Sequence, residues 1–167
     1  YGCNDTLPLN SRSDVVSFQT PALQSDLEVT GPIEMHLWAS SSAVDTDFTA
    51  KLMDVYPPSI DFPQGFEMNI TDGVIRARYR DSFEVRKLMN PGQIYRFNIE
   101  LYPTGNLFVR GHRIRVDIAS SNFPRLDVNP NTGEPIGLDR GREIANNSVY
   151  HSAARASRIV LPIVPVS

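Results

Sequence analysis

The sequence lacks the features typical of membrane proteins, disulfide-stabilised proteins and nucleic-acid-binding proteins. No apolar run approaches the ~20 residues that a membrane helix needs. A single cysteine, Cys3, cannot form an internal disulfide. The 167 residues carry a formal net charge of −3, which argues against broad attraction to nucleic acid or to an anionic membrane. We therefore expect neither nucleic acid nor a membrane as a partner.

A nucleophile in the sequence context of a hydrolase is also missing. The strand-to-helix elbow Gly-x-Ser-x-Gly does not occur, and no histidine lies near Cys3 in the sequence. The three histidines, His36, His112 and His151, lack the short spacing that is typical of zinc ligands. We therefore predict no catalytic residue, no cofactor site and no metal site in this chain.

The most regular pattern that is present lies within Leu107–Arg125. Apolar Ile114, Val116 and Ile118 alternate there with three charged residues. This period of two predicts a strand with one face in a core and the other face against polar groups. Because one strand cannot cover its own apolar face, other strands must pack against it.

Further alternating runs predict the other strands. They lie at Val15–Thr20, Leu27–Thr30, Ile33–Ala39, Phe48–Val55, Val74–Tyr79, Gln93–Leu101, Ser148–His151 and Arg158–Pro162. Between them, Gly31-Pro32 predicts a strand end and Thr71-Asp72-Gly73 a tight turn. Residues 127–147 have no periodicity, which is typical of a long loop that covers or binds something.

Many short strands with turns between them, and no sustained helical period, favour an all-β fold. A jelly-roll β-sandwich of two antiparallel sheets would bury one side of every alternating run. We expect the core between the sheets to contain Phe97, Ile99, Ile114, Val116 and Ile118.

Two closely spaced aspartates precede the predicted strand at Phe48. Their spacing resembles that of calcium ligands, but the glycine and the distal glutamate of an EF-hand loop are missing. The alternative, which we favour, is a set of structural ion pairs with arginines at alternate positions of other strands. The candidates for these ion pairs are Asp45, Asp47, Arg76, Arg78, Arg113 and Arg115.

A few aromatic and polar residues are candidates for contact with another domain. Trp38 and Tyr102 are predicted on outward faces, where they would belong either to a sugar-stacking platform or to the rim of an inter-domain contact. Asn122 and Phe123 follow the most regular strand. Loss of an inter-domain contact leaves an apolar patch, and we expect one near these residues and the N-terminal segment, where it would favour self-association.

Several sequence motifs, in one order along the chain, carry a family resemblance. They are D-L-E-V-T-G-P-I at Asp26–Ile33, S-S-S-A-V-D-T-D-F-T-A-K-L-M-D-V-Y-P at Ser40–Pro57, D-G-V-I-R-A-R-Y-R at Asp72–Arg80, G-H-R-I-R-V-D-I-A-S-S-N-F-P-R at Gly111–Arg125 and N-P-N-T-G at Asn129–Gly133. They resemble the C-terminal domain of the X-prolyl dipeptidyl-peptidase and cocaine-esterase family of serine hydrolases.

The resemblance implies a galactose-binding-like jelly roll that follows an α/β-hydrolase domain carrying a Ser-Asp-His triad. No triad residue falls within this sequence, so the family implies a non-catalytic domain that packs on the catalytic domain and helps to shape its substrate cleft. We accordingly expect residues 1–13 to be a linker and residues 14–167 to form the domain. The alternative is a free-standing module that binds a carbohydrate or another protein.

Overall fold

The computed structural model describes residues 11–138 and 140–165. Nine strands follow one another along these residues. They are β1 (Val16–Gln19), β2 (Leu27–Ser41), β3 (Asp47–Tyr56), β4 (Phe66–Arg76), β5 (Tyr95–Phe108), β6 (Arg113–Ala119), β7 (Asn147–Ser152), β8 (Arg155–Ala156) and β9 (Arg158–Val160). Cys3 and most of the expected linker 1–13 lie outside the described residues. No helix in the described ranges is long and apolar enough to span a membrane.

The strands form two antiparallel sheets packed face to face. The first sheet has the order β1-β6-β3-β4, and the second has the order β5-β2-β7-β8, with β9 paired to β2. The predicted all-β sandwich of two antiparallel sheets is thereby confirmed. The pattern that organises the sequence, within Leu107–Arg125, becomes β6, an inner strand of the first sheet.

The core lies between the two sheets and is built from alternate residues of their long strands. The five residues expected there, Phe97, Ile99, Ile114, Val116 and Ile118, are all buried. Across the sandwich, the ring of Phe97 packs on that of Phe48 with a centroid distance of 4.8 Å. Burial of these side chains supplies the main driving force for pairing the sheets.

The predicted strand end at Gly31-Pro32 is wrong. The chain continues as one strand, β2, and its register against β5 shifts between Gly31 and Ile33. Such a bulge accommodates a proline, which has no N–H to donate to the neighbouring strand. The two runs predicted on either side of Gly31-Pro32 are therefore one long strand at the centre of the second sheet.

The predicted tight turn at Thr71-Asp72-Gly73 is also wrong, because these residues lie inside β4. Gly73 is needed there for another reason. A Cβ at this position would collide with the backbone carbonyl oxygen of Glu100 and would lie 3.2 Å from Cγ2 of Ile99. Glycine lets the edge strands of the two sheets, β4 and β5, approach each other closely.

The strand predicted at Val74–Tyr79 ends at Arg76, where a single turn of 3-10 helix, Ala77–Tyr79, replaces it. The physical reason lies in the loop that precedes β3. The carboxylate of Asp45 accepts a hydrogen bond from the backbone N–H of Arg78, with N and Oδ1 2.9 Å apart. That N–H is therefore bound to a side chain rather than to a neighbouring strand.

Candidate functional site

A buried ion pair connects the loop before β3 to the turn after β4. Nε of Arg78 lies 2.8 Å from Oδ2 of Asp45, and the two side chains are only 2% and 0% exposed. A second N–H of the guanidinium donates to the backbone oxygen of Glu134, at 2.7 Å. Arg78 therefore links three separate loops in the interior.

A second ion pair lies beside the first. Arg76 and Asp47 make two parallel hydrogen bonds, of 2.9 and 3.0 Å. Nδ2 of Asn129 donates to both aspartates, at 2.8 Å to Asp45 and 2.7 Å to Asp47. Sequence reasoning missed Asn129, because it belongs to the long aperiodic loop, where no pattern indicates which residue folds inward.

The donors around these two aspartates bear on the choice between a cation site and ion pairs. Both oxygens of each carboxylate face N–H groups that donate to them, which is the arrangement of a structural tie. Among the described residues, no cluster of three or more His, Cys, Asp or Glu side chains could hold a metal ion.

The other two candidate arginines lie elsewhere in the first sheet. Arg113 donates to the backbone oxygen of Thr20, at 3.3 Å. Arg115 binds Glu67, with Nη2 and Oε2 2.7 Å apart, and Asp117, with Nη2 and Oδ2 3.2 Å apart. Arg115 is 1% exposed although it lies on the outer face of β6, so that face is partly covered rather than open to water.

The three histidines have different surroundings. His36 pairs with Glu34, with Nε2 and Oε2 3.1 Å apart. His112 pairs with the buried carboxylate of Asp54, with Nδ1 and Oδ1 2.9 Å apart. The ring of His151 packs edge-on against an aromatic residue of β1. Each side chain thus takes part in a local packing or pairing interaction.

Three of the four candidate contact residues come together at the loop after β6. The carboxylate of Asp72 accepts hydrogen bonds from Asn122, at 2.6 Å, and from Arg125. The guanidinium of Arg125 also lies 5.4 Å from the centre of the Tyr102 ring. The loop that carries Phe123 is thereby tied to β4 on both sides of the aromatic residue, and to β5 through Arg125.

Phe123 itself projects from this tied loop and is 69% exposed. The neighbouring Tyr102 is 65% exposed. Trp38, the fourth candidate, does not join them: it is half-buried on the outer face of the second sheet, opposite Arg96 and Tyr150 in the strand registers. The candidate functional site is therefore a surface around Phe123.

Comparison with known proteins gives consistent matches. Residues 4–160 match the model of the X-Pro dipeptidyl-peptidase C-terminal non-catalytic domain. A cocaine esterase from Rhodococcus sp. (strain MB1 Bresler) is 42% identical over 165 residues, which are 98% of this chain and 28% of the esterase.

Solved structures agree in fold. An α-amino acid ester hydrolase matches with a TM-score of 0.88 and 34% identity, and an aminopeptidase from a marine sediment archaeon, Thaumarchaeota archaeon, with 0.87 and 32%. Each match covers 93% of this chain and 26% of the other. The chain thus spans about a quarter of the length of these relatives. It belongs to the family of X-Pro dipeptidyl-peptidase C-terminal non-catalytic domains.

Proposed function

We propose that this chain is the C-terminal accessory domain of a larger serine hydrolase of the α/β-hydrolase type. In this function it packs on the catalytic domain and helps to shape the substrate cleft. The observation that carries the proposal is the asymmetry of the match: nearly all of this chain aligns with about a quarter of a cocaine esterase. The catalytic nucleophile then belongs to the preceding part of the polypeptide.

The names of the similar proteins support a proposal for the substrate class. A cocaine esterase, an α-amino acid ester hydrolase and an aminopeptidase all cleave an acyl group from oxygen or nitrogen. We infer an ester or amide substrate for the complete enzyme. The contribution of this domain is rigidity: buried ion pairs and a packed core hold its loops in fixed positions, as the wall of a substrate cleft requires.

The test compares the complete polypeptide with a version that ends before residue 14. The upstream coding sequence is expected to contain Gly-x-Ser-x-Gly followed by an aspartate and a histidine. The complete protein should hydrolyse p-nitrophenyl esters or amino acid amides, and truncation should lower kcat/KM and Tm, because the catalytic domain loses a packed surface. Truncation that leaves both quantities unchanged would contradict this role and favour a binding module that acts independently of catalysis.

A further inference from the structure

A cleft on the outer face of the first sheet lies next to Phe123. Its volume is about 310 Å³, and Phe123 forms part of its rim. Arg12, Asp14 and Val15, at the start of the described chain, line it as well. Thus the segment through which an upstream domain would connect lies beside the exposed ring of Phe123, in the loop after β6.

The loop that carries the aromatic residue at this rim is bound to β4 by two side chains. Hydrogen bonds from Asn122 and Arg125 to Asp72 lie on either side of Phe123. A rigid aromatic side chain loses little conformational entropy when it binds, and interface hot spots are enriched in such anchors. An exposed ring on a fixed loop is therefore suited to insertion into an apolar pocket of a partner.

Lys51 of β3 also lines the cleft. Lys51 lies between the buried residues Ala50 and Leu52 of β3, so its side chain is on the outer face of the sheet. In the register, its neighbours are Asp117 and Asp72. Among the described residues, no hydrogen bond or ion pair is formed by the Lys51 ammonium, whereas both carboxylates are engaged elsewhere.

We propose that this cleft is the surface on which the catalytic domain docks, with Phe123 as the apolar anchor and Lys51 as a donor to an acceptor oxygen of that domain. This assignment rests on the proposed function and identifies the face that it uses. The occupant is the catalytic domain because the incoming chain lines the cleft and because about three quarters of each similar enzyme lies outside the match.

Two serines provide a matched pair of probes in the complete polypeptide. Ser121 is exposed at the cleft and accepts a hydrogen bond from the N–H of Phe123, at 3.3 Å. Ser59 is exposed in the β3–β4 connection and accepts one from the N–H of Phe62, at 3.0 Å. Ser121→Cys and Ser59→Cys are small changes at similar turn positions, so a difference in thiol alkylation rate reports what covers each surface.

The alkylation rates are measured on the complete protein by peptide mass spectrometry. We expect the thiol of Ser121→Cys to react several-fold more slowly than that of Ser59→Cys. Adding Phe123→Ala or Lys51→Met to Ser121→Cys should raise its rate toward that of Ser59→Cys, while circular dichroism shows an unchanged fold. If the alkylation rate of Ser121→Cys is unchanged when Lys51→Met is added, Lys51 does not take part in the contact.

Two outcomes would overturn the assignment, and truncation then shows whether the proposed function fails with it. Equal alkylation rates of Ser121→Cys and Ser59→Cys, with Phe123 present, would mean that the cleft is open. Protection that is lost on dilution would identify a second copy of the protein as the occupant. If truncation before residue 14 lowers kcat/KM although the cleft is open, docking uses another face and the proposed function stands. If truncation has no effect either, both proposals fail.

Discussion

Asp45 shows how one side chain can hold three parts of the chain together. Its fully buried carboxylate accepts hydrogen bonds from the backbone and the guanidinium of Arg78 and from Asn129. The favourable terms are the charge-assisted hydrogen bonds, and the opposing term is the desolvation of both ions. Because the pair is already assembled, removing one ion is much more costly than the net contribution of the pair itself.

The first prediction concerns this pair. Asp45→Ala should lower the free energy of unfolding by about 3–5 kcal/mol, because the guanidinium of Arg78 remains buried without a counter-ion. Asp14→Ala is the control: it breaks the ion pair with Arg12, whose side chain is 54% exposed, and should cost about 0–1 kcal/mol. Urea denaturation measures both changes. Equal losses for the two variants would contradict the prediction.

The second prediction concerns the pH dependence of Glu67. The hydrogen bond from Arg115 lowers the pKa of this carboxyl, against the opposing effect of its burial. Because the folded-state pKa is the lower one, the stabilisation is complete above the unfolded-state value of about 4.3 and is lost as the pH falls through the folded-state pKa. The stability advantage of the wild type over Glu67→Gln should therefore be constant from neutral pH to about 5 and shrink at lower pH.

Urea titrations of both proteins at a series of pH values measure this difference. The ion pair is partly exposed, with 32% of the Glu67 side chain accessible, so solvent reduces its contribution. For this reason the direction of the pH dependence is the decisive observation. An advantage of the wild type that increases toward acidic pH would contradict the assigned direction of the pKa change.

At the scale of elements, the seam between β4 and β5 joins the edges of the two sheets. Besides the close approach at Gly73, the hydroxyl of Thr71 donates to the backbone oxygen of Tyr102, at 2.8 Å. This side-chain contact connects strands that belong to different sheets. The seam also supports the tied loop after β6, since Asp72 of β4 accepts its hydrogen bonds.

The third prediction tests this seam. Gly73→Ala should destabilise the domain by about 1–3 kcal/mol, because the new methyl group forces the two backbones apart. Gly105→Ala is the matched control in a strand: its Cβ would meet only Thr30, at 3.5 Å, an ordinary contact distance. Denaturant unfolding compares the two variants. A Gly73→Ala protein as stable as Gly105→Ala would show that the seam can relax without loss.

Sequence periodicity was sufficient to predict the sandwich, because in a strand with one buried face every second side chain is apolar. It failed at Thr71-Asp72-Gly73, where glycine serves a close approach between sheets and a local pattern indicates a turn. It also missed Asn129 and Glu67, which act through contacts with residues distant in sequence. Charge alternation indicated that Asp45 and Asp47 would need arginines, but only the path of the chain selects Arg76 and Arg78.

At the scale of the whole molecule, a rigid sandwich presents an anchored aromatic residue beside the incoming chain. The family to which the chain belongs is described as a non-catalytic domain. In the proposed function, the chemistry belongs to the rest of the enzyme and this domain contributes a surface that packs on it.

The fourth prediction concerns the hydrolytic activity of the isolated chain. Purified on its own, the chain should show no hydrolysis of p-nitrophenyl esters above that of buffer, whereas the complete polypeptide should turn them over. The rate of p-nitrophenol release measures both. Turnover by the isolated chain that disappears after substitution of Cys3 or of a single histidine would contradict the prediction, since it would identify a nucleophile or base within this domain.

The position of Arg12, Asp14 and Val15 beside Phe123 has a kinetic consequence for the proposed docking. In the proposed docking, a short connection would keep the two surfaces at an effective concentration of about 1 mM, so that a contact with a Kd of ~10 µM between separate molecules would be formed ~99% of the time. The catalytic domain would then remain seated through a small contact, and each dissociation would be followed by rapid return to the same orientation.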